Sequence, residues 1–167
     1  MPAITTQFDS AHNLDLEAFK INLSAQIESG VHGIILGGTL GEASTLTRKE
    51  KSTLLTTSLE QVAGKIPVIM NIAEQSTAEA VLLAQQAESE GANGLMLLPP
   101  MRYKATDEET VAYFSSVAES TSLPIMIYNN PVDYKIEVTI EMFEELAKYD
   151  NINAVKESTR DTTNVTR

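Results

Sequence analysis

Residues 124–156 read PIMIYNNPVDYKIEVTIEMFEELAKYDNINAVK. Pro124–Tyr128 (PIMIY) is a short continuous apolar run, Thr139–Tyr149 has helical spacing, and Ile152–Lys156 (INAVK) is a second short run. Apolar runs that do not alternate with polar residues predict strands covered on both faces, as in a parallel sheet. Two such strands joined by a helix form a right-handed crossover. Working outward, the same unit recurs. Gly33–Leu36, Pro67–Asn71 and Gly94–Leu98 read as strands, and Pro2–Thr6 as a shorter one. Helices are predicted over Leu16–Ser29, Thr47–Val62, Thr77–Glu90 and Asp107–Ser120, and Thr162–Arg167 reads as a helix just begun. Thr47/Glu50, Ser76/Glu79 and Thr106/Glu109 have the spacing of a capping box, in which each end satisfies an orphan backbone N–H of the other. The unit repeats about every 30 residues, a supersecondary repeat rather than a solenoid. Six strands in one α/β domain over residues 1–167 fit either a doubly wound open sheet or a (β/α)8 barrel, and periodicity does not separate the two.

Composition removes several functional classes. The 167 residues carry 12 Lys and Arg against 23 Asp and Glu, a formal charge of −11. An acidic chain without a basic stripe argues against nucleic acid, whose phosphates dominate affinity, and against anionic membrane surfaces. There is no Cys, so disulfides, thiolate metal sites and a thiol nucleophile are excluded, and two scattered His residues, His12 and His32, predict no metal site. The opening residues MPAITTQFDS lack a basic, then apolar, secretory pattern, and no apolar run reaches membrane length. A soluble cytoplasmic protein is the expectation.

In both architectures chemistry gathers at the C-terminal ends of the strands. The second strand is followed by Gly37-Gly38-Thr39-Leu40-Gly41-Glu42, too short between its glycines for a P-loop and with Glu where that motif has Lys. Its backbone N–H groups suit a carboxylate, although a tight turn needing positive φ explains the glycines equally well. Lys156 ends an apolar strand, where desolvation disfavours the ammonium and yields a free amine nucleophile. Snorkelling to solvent, or pairing with Glu157 or Asp161, is the plainer reading of that lysine taken alone. Tyr128 ends the neighbouring strand, about 4.8 Å away, so that a phenol can exchange protons near the amine. Arg102 suits a carboxylate, but a single Arg in a polar loop is usually just solvated. Asp107, Glu108 and Glu109 are explained by the helix dipole.

Taken together, Gly38-Thr39-Leu40-Gly41-Glu42, Tyr128-Asn129-Asn130-Pro131 and Val155-Lys156-Glu157, with Pro2–Phe8 as an opening strand, resemble the dihydrodipicolinate synthase / N-acetylneuraminate lyase superfamily of Schiff-base barrel enzymes. The resemblance runs along essentially the whole chain. It implies a (β/α)8 barrel of about 250 residues, truncated here after the sixth strand. It implies a lyase that needs no cofactor, with Lys156 forming an imine with a 2-oxo acid, Tyr128 relaying protons and Thr39 hydrogen-bonded to that Tyr. Gly38, Leu40, Asn130, Asp133 and Arg102 become substrate-binding residues, and a homo-oligomer, dimer or tetramer, is expected. Dihydrodipicolinate synthases have Thr where Leu40 stands, a Tyr pair where Met101-Arg102 stands, and Arg where Asp133 stands. Those departures favour a small 2-oxo acid or cyclic imine from catabolism, undergoing aldol cleavage, dehydration or deamination, over dihydrodipicolinate synthesis. The alternative is an inactive barrel fragment serving folding or association.

Overall fold

A computed structural model describes residues 1–100 and 103–161. Among the described residues five strands are formed: β1 (Ile34–Leu36), β2 (Val68–Ile72), β3 (Gly94–Leu97), β4 (Ile125–Asn129) and β5 (Ile152–Glu157). The same described residues form the α-helices α1 (Leu16–Glu28), α2 (Arg48–Val62), α3 (Thr77–Ser89), α4 (Asp107–Glu119), α5 (Pro131–Tyr134) and α6 (Ile140–Leu146). The sheet order is β1-β2-β3-β4-β5, the same as chain order. The β1/β2, β3/β4 and β4/β5 pairs are parallel. A doubly wound sheet reverses direction at a switch point; among the described residues this order has none.

The expected strand Pro2–Thr6 is reduced to one parallel bridge, Ala3 to Ile35, so the described residues form five strands rather than six. Ile4 N–H donates to Ile35 C=O at 3.0 Å, and Ile35 N–H donates to Pro2 C=O at 2.9 Å. Pro2 has no N–H to extend that ladder. The helix beginning at Thr162 lies outside the described residues.

The chain divides into two compact units. The first comprises Met1–Asn71 and Gln86–Gly94. In it α1 packs on α2, and Phe19, Leu23, Leu54 and Leu55 are buried with Ile34, Leu36 and Val68. Asp15 caps α1 by accepting from Ala18 N–H. Thr47 and Glu50 close the predicted capping box on α2. The carboxyl of Glu50 is held below the usual range, chiefly by the Thr47 backbone N–H and then by its hydroxyl.

The second unit comprises Ile72–Gln85 and Leu95–Arg167. Here α4, opened by the Thr106/Glu109 box, packs on α6. Phe114, Val117, Leu95, Leu97, Ile125 and Ile127 form its core. Along β4, residues 125, 127 and 129 are buried while Met126 and Tyr128 are half-buried. β5 departs from expectation: Asn153, Ala154 and Val155 are exposed, Val155 at 46 %. Among the described residues this strand has a neighbour on one side only, so apolar character alone does not bury it.

Candidate active site

The β4/β5 ladder decides what stands beside Lys156. Ile125 pairs with Ile152, but Met126 pairs with Ala154, so the register slips by one residue at Asn153. Beyond the slip Tyr128 pairs with Lys156 and Asn129 with Glu157. Without it Tyr128 would face Val155. A one-residue slip in a strand exchanges its two faces, and a bulge is the device that produces it. Lys156 and Tyr128 therefore project from the same face, and Lys156 Nζ lies 4.0 Å from the centre of the Tyr128 ring. Lys156 is half-buried rather than buried, so the described residues supply less desolvation than its place on an apolar strand suggested.

The Tyr128 ring is braced edge-on by Tyr134, with centroids 5.6 Å apart. Its hydroxyl oxygen accepts from Asn130 Nδ2 at 3.1 Å. The same nitrogen donates to Asp133 Oδ2 at 2.7 Å, while Asn130 Oδ1 accepts from Asp133 N–H at 3.3 Å. Asn130 is thus the N-cap of α5 and Pro131 occupies its first turn, where a missing N–H costs nothing. The sequence reading overlooked this short helix although Asn-Pro is its signature.

A second overlooked group sits behind this face. Asn129 is 1 % exposed and reads as backbone to Val138: Nδ2 donates to Val138 C=O at 3.1 Å and Oδ1 accepts from Val138 N–H at 3.0 Å. Asn129 Nδ2 also donates to Glu157 Oε2 at 3.0 Å. Glu157 Oε1 accepts from Thr159 N–H at 2.8 Å. This clamp ties the ends of β4 and β5 to residue 138, where the loop that carries Asn130 and Asp133 ends. Glu157, Asn129, Val138 and Thr139 line a cleft with Glu137 and Phe143.

The first unit holds the glycine turn. Gly37 has φ +59°, in the left-handed region, where the chain leaves β1. Asn71 Nδ2 donates to Gly37 C=O at 2.7 Å, holding that bend to β2. Thr39–Gly41 form one 3-10 turn, with Gly41 N–H on Gly38 C=O at 2.9 Å and Glu42 N–H on Thr39 C=O at 3.2 Å. A Cβ on Gly41 would stand 2.9 Å from Ile4 C=O. Thr6 Oγ1 donates to Gly41 C=O at 2.8 Å. None of these bonds uses the N–H of Leu40, whose side chain is 75 % exposed. Glu42 braces the turn with its left-handed backbone, its C=O accepting from Thr45 N–H at 2.9 Å.

The structure therefore brings together Lys156, Tyr128, Asn130 and Asp133 in one unit. Gly38, Thr39 and Leu40 belong to the other. Arg102 lies outside the described residues. Tyr113 is a different kind of tyrosine: burial first, and then the charge of Glu74, raise its phenol well above the ordinary value, and its hydroxyl donates to Glu74 C=O at 3.1 Å. It is a core residue. Among the described residues no group of His, Asp and Glu could hold a metal, and no helix is long and apolar enough to cross a membrane.

A family model described as the dihydrodipicolinate synthetase family matches residues 1–167. The chain belongs to the dihydrodipicolinate synthetase family. One relative is the 4-hydroxy-tetrahydrodipicolinate synthase of Exiguobacterium sibiricum, 38 % identical over 159 residues, which are 95 % of this chain and 54 % of that protein. A crystal structure of dihydrodipicolinate synthase from Aquifex aeolicus superposes with a TM-score of 0.94 at 32 % identity, covering 98 % of this chain and 56 % of that one. YagE, a dihydrodipicolinic acid synthase family protein of E. coli crystallised with pyruvate, gives 0.92 at 27 % identity, over 97 % and 55 %. The chain thus spans about half the length of the dihydrodipicolinate synthetase family proteins it matches.

Proposed function

We propose that this protein is a Schiff-base lyase, built as a (β/α)8 barrel of which residues 1–167 supply the N-terminal strands and Lys156. The observation that carries the reading is the slipped β4/β5 register, which sets Lys156 Nζ 4.0 Å from the Tyr128 ring centre at the C-terminal end of the sheet. Unprotonated Lys156 attacks the ketone carbon of a 2-oxo acid. A carbinolamine forms, water leaves, and the imine remains. Protonated, the imine accepts the electron pair released when a bond at C3 breaks, giving an enamine. Tyr128 carries the proton in and out. The backbone N–H groups of the turn at Gly38, Thr39 and Leu40 suit an anion, and we assign that turn to a substrate carboxylate.

The substrate class we propose is a small 2-oxo acid or a related cyclic imine, acted on in the cytoplasm by a homo-oligomer. Leu40 and Asp133 weigh against a second anionic substrate. The test is reduction with borohydride in the presence of pyruvate, followed by peptide mass spectrometry of the full-length protein. The adduct is expected on Lys156. An adduct on Lys135 or Lys148 overturns the assignment, and the absence of any adduct favours the reading as an inactive folding or association module.

A further inference from the structure

The amide of Asn130 faces two partners that each allow one orientation only. A carboxylate accepts and cannot donate, so the group facing Asp133 Oδ2 at 2.7 Å is the NH2. A backbone N–H donates and cannot accept, so the group facing Asp133 N–H at 3.3 Å is the carbonyl oxygen. The amide cannot flip without putting oxygen against carboxylate and NH2 against N–H. Its second N–H then meets the Tyr128 hydroxyl oxygen at 3.1 Å, so that oxygen is the acceptor there. The phenolic hydrogen must point away from Asn130. With the ring pinned by Tyr134 and Lys156 over its face, that hydrogen is left for a reacting partner.

We infer that Asp133 is a positioning residue which, through Asn130, fixes the direction of the Tyr128 hydroxyl and so makes Tyr128 a proton donor. The inference rests on the Schiff-base reading above. It gives Asp133 a part in every reaction that passes through the Lys156 enamine, whatever the second substrate.

The test uses pyruvate alone. Lys156 Nζ bonds to C2 with loss of water; a C3 proton leaves, its electron pair passing to the imine nitrogen; a deuteron from D2O then adds at C3. Exchange of the methyl protons is followed by NMR on the full-length protein, and imine yield is measured separately by borohydride trapping. Asp133→Ala should leave the trapped yield near wild type and slow exchange about 10–100-fold, since it releases an orienting charge-assisted hydrogen bond. Asp133→Asn keeps an acceptor for Asn130 and should restore most of the rate. Asn130→Ala should be at least as slow, and adding Asp133→Ala to it should cost nothing more. The inference is overturned by wild-type exchange in Asp133→Ala, by an Asp133→Asn variant as slow as Asp133→Ala, or by additive losses in the double variant. If Asp133→Ala loses the trapped adduct as well, the role is structural and the inference fails. If the wild-type protein traps no pyruvate, the Schiff-base reading itself falls, and this inference with it.

Discussion

Replacing Asn129 by Leu removes three hydrogen bonds from a position that is 1 % exposed. The side chain fits by volume, so the loss is polar. Val138 is itself 3 % exposed, and its N–H and C=O both lose their partner. Leaving a buried donor or acceptor unmade costs about 1–3 kcal/mol each, and the bond to the Glu157 carboxylate is worth about 1.5–3 kcal/mol more. Relaxation of the 130–139 loop and entry of water offset part of this, so the expected destabilisation is about 3–5 kcal/mol, a large share of the 5–15 kcal/mol typical of a folded domain. Urea unfolding of the full-length protein, followed by circular dichroism, should show the midpoint fall with little change in slope. Asn129→Asp tests the direction of the bonds: it keeps an acceptor for Val138 N–H but puts carboxylate oxygen against Val138 C=O and Glu157, and should be no better than Leu. If Asn129→Leu stays within about 0.5 kcal/mol of wild type, a range ordinary for surface changes, the clamp is not what holds the loop to β4.

Gly41→Ala should destabilise by about 1–3 kcal/mol, because the new Cβ stands 2.9 Å from Ile4 C=O and backbone must move. Thermal unfolding measures that cost, and the pyruvate concentration needed for half-maximal trapping should rise. Thr47→Ala should cost about 1 kcal/mol at neutral pH. Glu50 is held below its ordinary range by Thr47, so its stabilisation is present above the unfolded value and is lost as pH falls through the folded one; the gap between wild type and Thr47→Ala should narrow below about pH 4. Steady-state condensation of pyruvate with aspartate semialdehyde should be slow, given Leu40 and Asp133; an efficient synthase would show that these departures do not set specificity.

The elements were legible because their punctuation is local. Thr47/Glu50 and Thr106/Glu109 form the boxes their spacing predicts, and strand ends fall within a residue or two of expectation. Sheet order was not legible, since a crossover helix looks the same in an open sheet and in a barrel. The weak first strand was overread because Pro2 cannot donate to a ladder. The shallow burial of β5 also escaped, because burial depends on what covers a strand and not on its own composition.

For the site, the sequence carried residue identities but not directions. Tyr128 and Lys156 close adjacent strands, and adjacency alone allows two registers that point the lysine to opposite faces. The choice is made at Asn153, where β5 takes up one extra residue, and neither Asn153 nor its neighbours show this in their composition. Asp133 poses the same question at shorter range. Read as a letter, it is a negative charge where the family resemblance leads one to expect a positive one, and it reads as a comment on the substrate. Its carboxylate, however, accepts from Asn130, and Asn130 in turn donates to Tyr128. A charge three residues along a capped turn therefore acts first on its own cap, which is why the chemistry of this face has to be argued from donors and acceptors and not from sign alone.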